Sequence, residues 1–437
     1  STSVVDSNIN GHTNVGGIAG YVNKGTIYSS TVRKRVKASD GETTKTANVN
    51  NVTGTEDVGG LAGLLNDSQI TWYSYNASQV GGTTNVGGLA GEMTGTAATK
   101  NLITDSSNRG YMSDTETYAQ GYGVISGSTG VGGLVGKMNV TSTTTSGGTV
   151  TNGMISASNS KASSYNNGTV TGDKQVGGLV GELDSGVVQK SYNTNEKSPL
   201  SSSSVISSAD VTGAGTSGYG RVTGSASDAG GLVGQMTGGL VQTSYNAGNV
   251  SGNQNVGGVV GYMTGGTIQN AYNADNNTVL QTADGSGIAN IEANQKYYGK
   301  TSTDGYTYSY DSSTQLWNKA KTGVTTTQVA TGALPGEDTR TYNNRLAYRD
   351  ATVTGTTNVG GFAGNISGGT VTDVYTAGRV NGTTNVGGFA GSVSGSPTAA
   401  DSFYVTTRQD GSTNISGQTA AVGAGTLANV TAKTLYQ

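Results

Sequence analysis

The sequence contains no cysteine, one histidine and three prolines among 437 residues. Without cysteine, the chain has neither a disulfide framework nor thiolate chemistry. Catalytic triads, histidine-ligated metal sites and histidine acid–base catalysis need imidazole. The one candidate, His12, occupies a column that other repeats fill with threonine or asparagine, which indicates a turn residue. We therefore predict a protein that is not an enzyme and that holds no metal or other cofactor.

Charge and long apolar runs are also scarce. Charged residues make up 12% of the chain, and the formal net charge is −3. This balance provides no basic surface for nucleic acid, and no run of 18 apolar residues could span a bilayer. The one basic run, TVRKRVK at 31–37, is interpreted as a solvated loop. Hydrophobic residues reach only 33%, so an ordinary core of large side chains is not expected.

Glycine, by contrast, is abundant, with 73 residues, and much of it lies in a repeated block. The block reads Val or Ala, Gly-Gly, a hydrophobic residue, Ala or Val, then Gly. Nine copies begin at Val15, Val58, Val86, Val131, Val176, Ala229, Val256, Val359 and Val386. The shortest spacings between copies are 27 and 28 residues, so we take about 27 residues as the unit and treat the longer spacings as insertions.

The clean units beginning at Ala229 and Asn255 each hold three short β-prone segments separated by Gly, Asn or Thr. Helical periodicity is missing, and each glycine would cost a helix about 1 kcal/mol. The pattern predicts an all-β fold, a parallel β-helix with three short strands per coil. The general handedness of parallel crossovers favours a right-handed coil.

Within the block, numbered from its first residue as position 0, positions 3 and 7 are hydrophobic and position 6 is mostly polar. A period of two then directs the odd positions inward, including the glycines at positions 1 and 5. Positions 0, 2 and 4 would form a small apolar stripe on the outside. The alternative is a bulge at the Gly-Gly pair that turns position 0 inward as well. The sequence leaves both interpretations open.

Two columns predict ladders of stacked side chains. The residue before the block is usually Asn or Asp, which tolerate left-handed backbone and can bond between coils. Tyr-Asn pairs recur at 75–76, 165–166, 192–193, 245–246 and 272–273. They predict tyrosine rings stacked at one corner of the solenoid.

The Gly-Leu-Val-Gly stretches at 133–136, 178–181 and 231–234 resemble the GLUG motif, and the resemblance covers most of the chain outside the insertions. It implies the repeat region of a bacterial surface or secreted adhesin of the filamentous-haemagglutinin-like type. Some surface peptidases that cleave immunoglobulin A carry the same motif. Their chemistry needs a zinc motif, His-Glu-x-x-His, which this chain lacks.

The insertions divide the chain into repeats at 1–273, a long aromatic-rich insertion at 274–350, further repeats at 351–395 and a non-repeating segment or cap at 396–437. The clearest insertions follow the Tyr-Asn corner, so loops should emerge along one edge. The stretch YTYSY predicts a strand in a hairpin-like element. Its aromatic residues could stack on sugars or contact a protein, or could pack on the solenoid flank. The candidate ligand contacts are Tyr297, Tyr298, Tyr306, Tyr308, Tyr310 and Trp317.

Together these features predict a secreted or cell-surface structural protein, a stalk or filament that presents loops to cell-surface glycans or proteins. Because the sequence begins inside a turn, we also expect self-association or more solenoid upstream. The alternatives are a polysaccharide-active enzyme on the same scaffold, the repeat region of a larger surface peptidase, or a binder of an ordered surface such as ice. The enzymatic alternative would need two carboxylates close together, but Glu92 and Glu182 lie in repeats that are not adjacent.

Overall fold

The computed structural model describes residues 1–5, 7–33, 51–96, 100–110, 123–144, 150–158, 163–194, 220–274, 280–281, 287–288, 307–311, 316–321, 324–329, 351–407 and 418–434. Within these segments all regular structure is β, and no helix long and apolar enough to cross a membrane occurs. The chain is a parallel β-helix with three faces. Strands pair in parallel with the equivalent strand of the next coil.

The first face carries the start of each block. Its strands are Ile9–Asn10, Thr13–Gly16, Asn51–Thr53, Glu56–Gly59, Gln79–Gly81, Thr84–Gly87, Ile125–Ser126, Thr129–Gly132, Val170–Gly177, Val222–Gly230, Val250–Gly257, Val353–Thr354, Thr357–Gly360, Val380–Asn381 and Thr384–Gly387.

The second face carries the end of each block. Its strands are Ala19–Asn23, Ala62–Asn66, Ala90–Gly95, Val135–Val140, Val180–Ser185, Val233–Met236, Val260–Met263, Ala363–Ile366, Ala390–Val393 and Val422–Ala424. The last of these strands comes from the C-terminal segment and pairs with Ala390–Val393.

The third face carries the Tyr-Asn corner. Its strands are Ser3–Val5, Thr26–Tyr28, Thr31–Arg33, Gln69–Thr71, Tyr75–Ala77, Leu102–Thr104, Ser107–Asn108, Met154–Ser156, Ser164–Asn166, Val187–Gln189, Ser191–Asn193, Leu240–Asn246, Thr267–Asn273, Thr370–Thr372, Tyr375–Thr376, Thr398–Ala400, Ser402–Thr407 and Val430–Thr434.

The remaining strands are antiparallel. Thr143–Thr144 pairs with Val150–Asn152, and Leu280–Gln281 pairs with Gly287–Ile288. Within the long insertion, Thr307–Asp311, Leu316–Lys321 and Val324–Val329 form a three-stranded sheet. This sheet confirms the strand predicted for YTYSY and the hairpin-like character of the insertion.

The block bends at a corner between the first and second faces, and this bend corrects the predicted alternation. Positions 3 and 7 face the core as expected, as Leu89 and Met93 illustrate. Positions 0 and 4 are buried too, as at Val86 and Ala90, so no apolar stripe lies outside. The first-face strand ends at position 1 and the second-face strand starts at position 4. A period of two does not continue through the bend, and the alternative with position 0 inward is correct.

The second glycine of the block makes room for a ladder of buried asparagines. A Cβ on Gly60 would lie 2.2 Å from the carbonyl oxygen of Gly88 and 2.4 Å from Cγ of Asn76. The position therefore faces the interior, not the outside as the alternation had predicted. Glycine is needed here because backbone and side-chain atoms already occupy the space that any larger residue would fill.

Candidate functional site

The Tyr-Asn column forms two stacked rows on the third face. Stacked rings run through Tyr165, Tyr192, Tyr245, Tyr272, Tyr375 and Phe403, with centroids 4.8–5.5 Å apart. This confirms the predicted stack for four of the five tyrosines. Tyr75 is the exception, because its neighbours in register are Thr31 and Ser107. Its ring is covered instead by the Arg109 guanidinium, 4.1 Å from the centroid.

The asparagines of this column form what we call the inner Asn ladder. Each Nδ2 donates to Oδ1 of the asparagine in the next coil at 2.8 Å, through Asn76, Asn108, Asn166, Asn193, Asn246 and Asn273. All six are fully buried. Asn108 was not among the predicted pairs, because Ser107 precedes it at the position where most coils have tyrosine.

The inner Asn ladder also closes the loop corner, the turn that joins the third face to the first face of the next coil. In an uninterrupted coil, Asn246 Nδ2 donates to the carbonyl of Gly248, two residues on, at 2.8 Å. Asn193 makes the same bond to Gly220 at 2.7 Å, across 27 residues. Asn273 makes it to Ala351 at 3.2 Å, across 78 residues. One buried amide thus holds both ends of an inserted loop.

The loop corner has the same number of residues and the same strand register whether or not an insertion interrupts it. The uninterrupted corner Thr376–Val380 has three residues between its ends, Ala377, Gly378 and Arg379. Thr194 is followed by residues 195–219, after which Gly220 and Arg221 complete the same turn up to Val222. Ala274 is likewise followed by 275–350 and completed by Ala351 and Thr352. Strand register confirms the equivalence, since Val353 pairs with both Val250 and Val380.

The residues that immediately precede the nine blocks form a second row, which we call the outer row. All nine show the predicted left-handed backbone, with φ between 50° and 65°. Side-chain bonds join Asn385 to Asn358, Asn358 to Asn255 and Asn255 to Asp228 at 2.7–2.8 Å. Asn85 donates to Asp57 in the same way at 2.9 Å. Burial is the main cause that raises the pKa of both Asp57 and Asp228.

The carboxylates of the second face do not form an isolated catalytic pair. Lys137 lies between Glu92 and Glu182 in the strand register. Its Nζ is 3.2 Å from Glu182 and 3.0 Å from Asp184. Burial, followed by the nearby charge of Asp57, raises the pKa of Glu92. Among the described residues, no group of three or more His, Cys, Asp or Glu could hold a metal ion.

A cluster that the sequence had not indicated lies on the third face, and we call it the aromatic platform. Tyr28, Trp72 and Tyr73 are 49%, 53% and 50% exposed. The Tyr28 and Trp72 rings stack with centroids 5.8 Å apart and planes 13° apart. The Tyr73 ring meets Trp72 edge-on at 6.1 Å. The three rings thus form one aromatic cluster that is about half exposed to solvent.

The platform depends on one additional residue in its coil. Ile70 and Tyr75 are separated by one more residue than the equivalent Ile268 and Tyr272. Trp72 and Tyr73 both take left-handed backbone, with φ of 59° and 58°. At this corner seven other coils place a single small or polar residue in that conformation, namely Ser29, Asp105, Lys190, Thr243, Asn270, Asp373 and Asp401.

Backbone bonds and a buried serine hold the platform turn. Tyr73 N donates to the Asp105 carbonyl at 2.9 Å. The hydroxyl of Ser74 donates to the Thr71 carbonyl at 2.8 Å and accepts from Ser30 N at 3.0 Å. The turn is thus closed without any polar contact from the Trp72 side chain. Bulky residues rarely adopt left-handed backbone unless the surrounding structure imposes it.

Three of the predicted ligand contacts in the long insertion, Tyr297, Tyr298 and Tyr306, lie outside the described residues. The others lie on the three-stranded sheet. Strand register places Tyr308 opposite Lys319 and Tyr310 opposite Trp317. Their contact with a ligand stays a prediction.

No family model, curated protein or solved structure matches this chain. The resemblance to GLUG repeats therefore remains an expectation from the sequence.

Proposed function

We propose that this chain is a non-enzymatic extracellular structural protein of a bacterial surface. In this proposal the solenoid is a stalk or filament segment, and the loops at the loop corner contact cell-surface glycans, proteins or other copies of the chain. The protein is secreted or held at the cell surface, and the GLUG-type adhesins are the class it resembles.

The observation that supports the proposal is the asparagine bond that spans each insertion. Because Asn193 and Asn273 bond across 27 and 78 residues as Asn246 does across two, the scaffold accepts loops of very different length without a change of register. Loops inserted at an equivalent bond of successive coils emerge along one edge. In such an arrangement the stacked coils provide the stability while the inserted loops are free to vary, which suits the presentation of binding loops.

The experiment compares the intact chain with a variant lacking 275–350 on arrays of glycans and host cell-surface proteins. We expect the intact chain to bind a subset of the array and the deletion variant to lose at least part of it. Sedimentation of both proteins at increasing concentration measures self-association separately. An intact chain that binds nothing and stays monomeric would contradict the proposal.

A panel of polysaccharides incubated with the intact chain tests the enzymatic alternative. We expect no new reducing ends with any polymer. Cleavage that survives repurification and disappears in Glu92→Gln or Glu182→Gln would replace the structural proposal with an enzymatic one.

A further inference from the structure

We propose that the aromatic platform of Tyr28, Trp72 and Tyr73 is a carbohydrate-binding site that stacks the apolar face of a neutral pyranose ring. This inference rests on the proposed extracellular role and adds a ligand class and a location to it. The site lies on the third face, at the turn between its two strands in each coil.

The first argument is that the rings are displayed, not packed. Each of the three rings is about half exposed. In seven other coils the equivalent corner turns with one small or polar residue, so the turn itself does not need an aromatic side chain. Two bulky residues held in left-handed backbone, in a turn one residue longer than in the adjacent coils, indicate a functional role for the exposed rings.

The second argument concerns geometry. The Tyr28 and Trp72 rings are stacked, with planes 13° apart and centroids 5.8 Å apart, so each covers part of one face of the other while each residue stays about half exposed. A pyranose presents a face of C–H groups that packs on the exposed side of such a ring, while its hydroxyls remain free for polar neighbours. Two hydroxyl-bearing residues are adjacent to the rings in sequence, since Ser29 follows Tyr28 and Thr71 precedes Trp72.

The third argument separates sugars from other ligands that stack on aromatic rings. Nucleic acid would need a basic surface to replace its counterions. The chain carries a formal net charge of −3, and its one basic run, at 31–37 close in sequence to Tyr28, is interpreted as a solvated loop. A protein partner would need roughly 800 Å² with an apolar centre. The platform is instead three rings beside half-buried polar residues such as Ser29 and Thr71. A neutral saccharide fits this setting better than either macromolecule.

The test uses tryptophan fluorescence in the full chain. The sequence has two tryptophans, Trp72 and Trp317, so Trp317→Phe leaves Trp72 as the only reporter. This protein is titrated with neutral gluco-, manno- and galacto-oligosaccharides and with chito-oligosaccharides. We expect a saturable change in emission with at least one of them. Calorimetry with the same Trp317→Phe protein should give the same dissociation constant.

Variants then assign the response to the platform. Tyr28→Ala and Tyr73→Ala should each weaken binding by roughly three- to tenfold, the loss expected for one aromatic contact. Trp72→Ala, followed by calorimetry, should abolish measurable binding. The matched control is Tyr21→Ala, since Tyr21 is 52% exposed but lies on the second face. Circular dichroism confirms that each variant retains the β-helix.

Two results would overturn the inference. One is the absence of any response across the oligosaccharides in a folded chain. The other is platform-dependent capture of a protein with no response to sugars. Because these titrations do not need residues 275–350, failure here leaves the loop proposal standing. Conversely, loss of array binding on deleting the loop would leave the platform intact.

Discussion

At the scale of single residues, small side chains determine how closely the coils can approach. The Gly-Gly pair and the inner Asn ladder depend on each other, because the space denied to a side chain at Gly60 is filled by Asn76 and by the Gly88 carbonyl. The abundance of glycine is therefore explained by contacts with backbone and buried amides. At Gly60, the lack of space for a side chain matters more than the conformational freedom of glycine.

Gly60→Ala and Gly81→Ala are a matched pair that tests this explanation. At Gly60 the added methyl would meet backbone and a buried amide at 2.2–2.4 Å, which predicts a loss of about 1–3 kcal/mol or more. At Gly81 the nearest atom is 3.5 Å away, so alanine should be neutral or stabilising by about 0.4–1 kcal/mol. Chemical denaturation measures both. Equal effects would refute the account.

Asp228 provides a pH-dependent test at the same scale. Burial is the main cause that raises its pKa in the folded state, against bonds from Asn255 and Ser227. The folded state then binds the proton more tightly than the unfolded state, so stability falls as pH rises through the raised pKa. Asp228→Asn, which copies the residue at Asn255, should raise the melting temperature more at pH 7 than at pH 4. A benefit that is larger at pH 4 would contradict the assigned cause.

At the scale of elements, the sequence identified the coil, its three segments and the two ladders, because each repeats at a fixed interval. It failed where the period is broken. Alternation extended through the bend after position 1 would place Val86 and Ala90 in an exposed stripe, and the sequence could not decide between this and a bulge that turns position 0 inward; both residues are buried. The aromatic platform was missed because it depends on one extra residue between Ile70 and Tyr75. That excess becomes visible only when the coil is aligned with Ile268 and Tyr272.

Deletion of 275–350 tests whether the insertion contributes to the fold of the solenoid. The cut joins Ala274 to Ala351 and gives a corner of the same length as Thr376–Val380. We expect the β-sheet circular dichroism to be retained and the stability to change by less than about 1 kcal/mol. In the full chain, Asn273→Ala should cost about 1–3 kcal/mol, because it leaves buried groups of Asn246 and Ala351 without their partner. A deletion more damaging than this substitution would show that the insertion is structural.

At the scale of the whole molecule, each coil contacts chiefly the coils before and after it. Ten second-face strands at a spacing of about 4.8 Å give the stack a length of about 43 Å. Stability in such a stack is approximately the sum of coil terms and of terms for adjacent pairs. Asn-to-Asn side-chain bonds of 2.8 Å join coils 27 and 53 residues apart in the inner Asn ladder and 103 residues apart in the outer row. The molecule should therefore accept an additional coil.

Duplication of residues 229–255 in tandem tests this property. The copy carries Gly231, Gln242, Tyr245, Asn246 and Asn255, so every row continues through the junction. We expect the scattering envelope to lengthen by about 4.8 Å, and the denaturant dependence of unfolding to steepen because more surface is buried. The midpoint should not fall, since the new coil adds one more interface of the existing kind.

The control for the duplication is a shortened copy that lacks 247–249, because its strands can no longer pair in register on both sides. This variant should lose stability or expel the copy as an unstructured loop, with no gain in β-sheet signal. If the complete and shortened copies behave alike, neighbouring coils do not recognise each other through their rows of Gly, Asn and Tyr. The additive, one-dimensional description of the stack would then be wrong, and stability would have to reside in features particular to single coils.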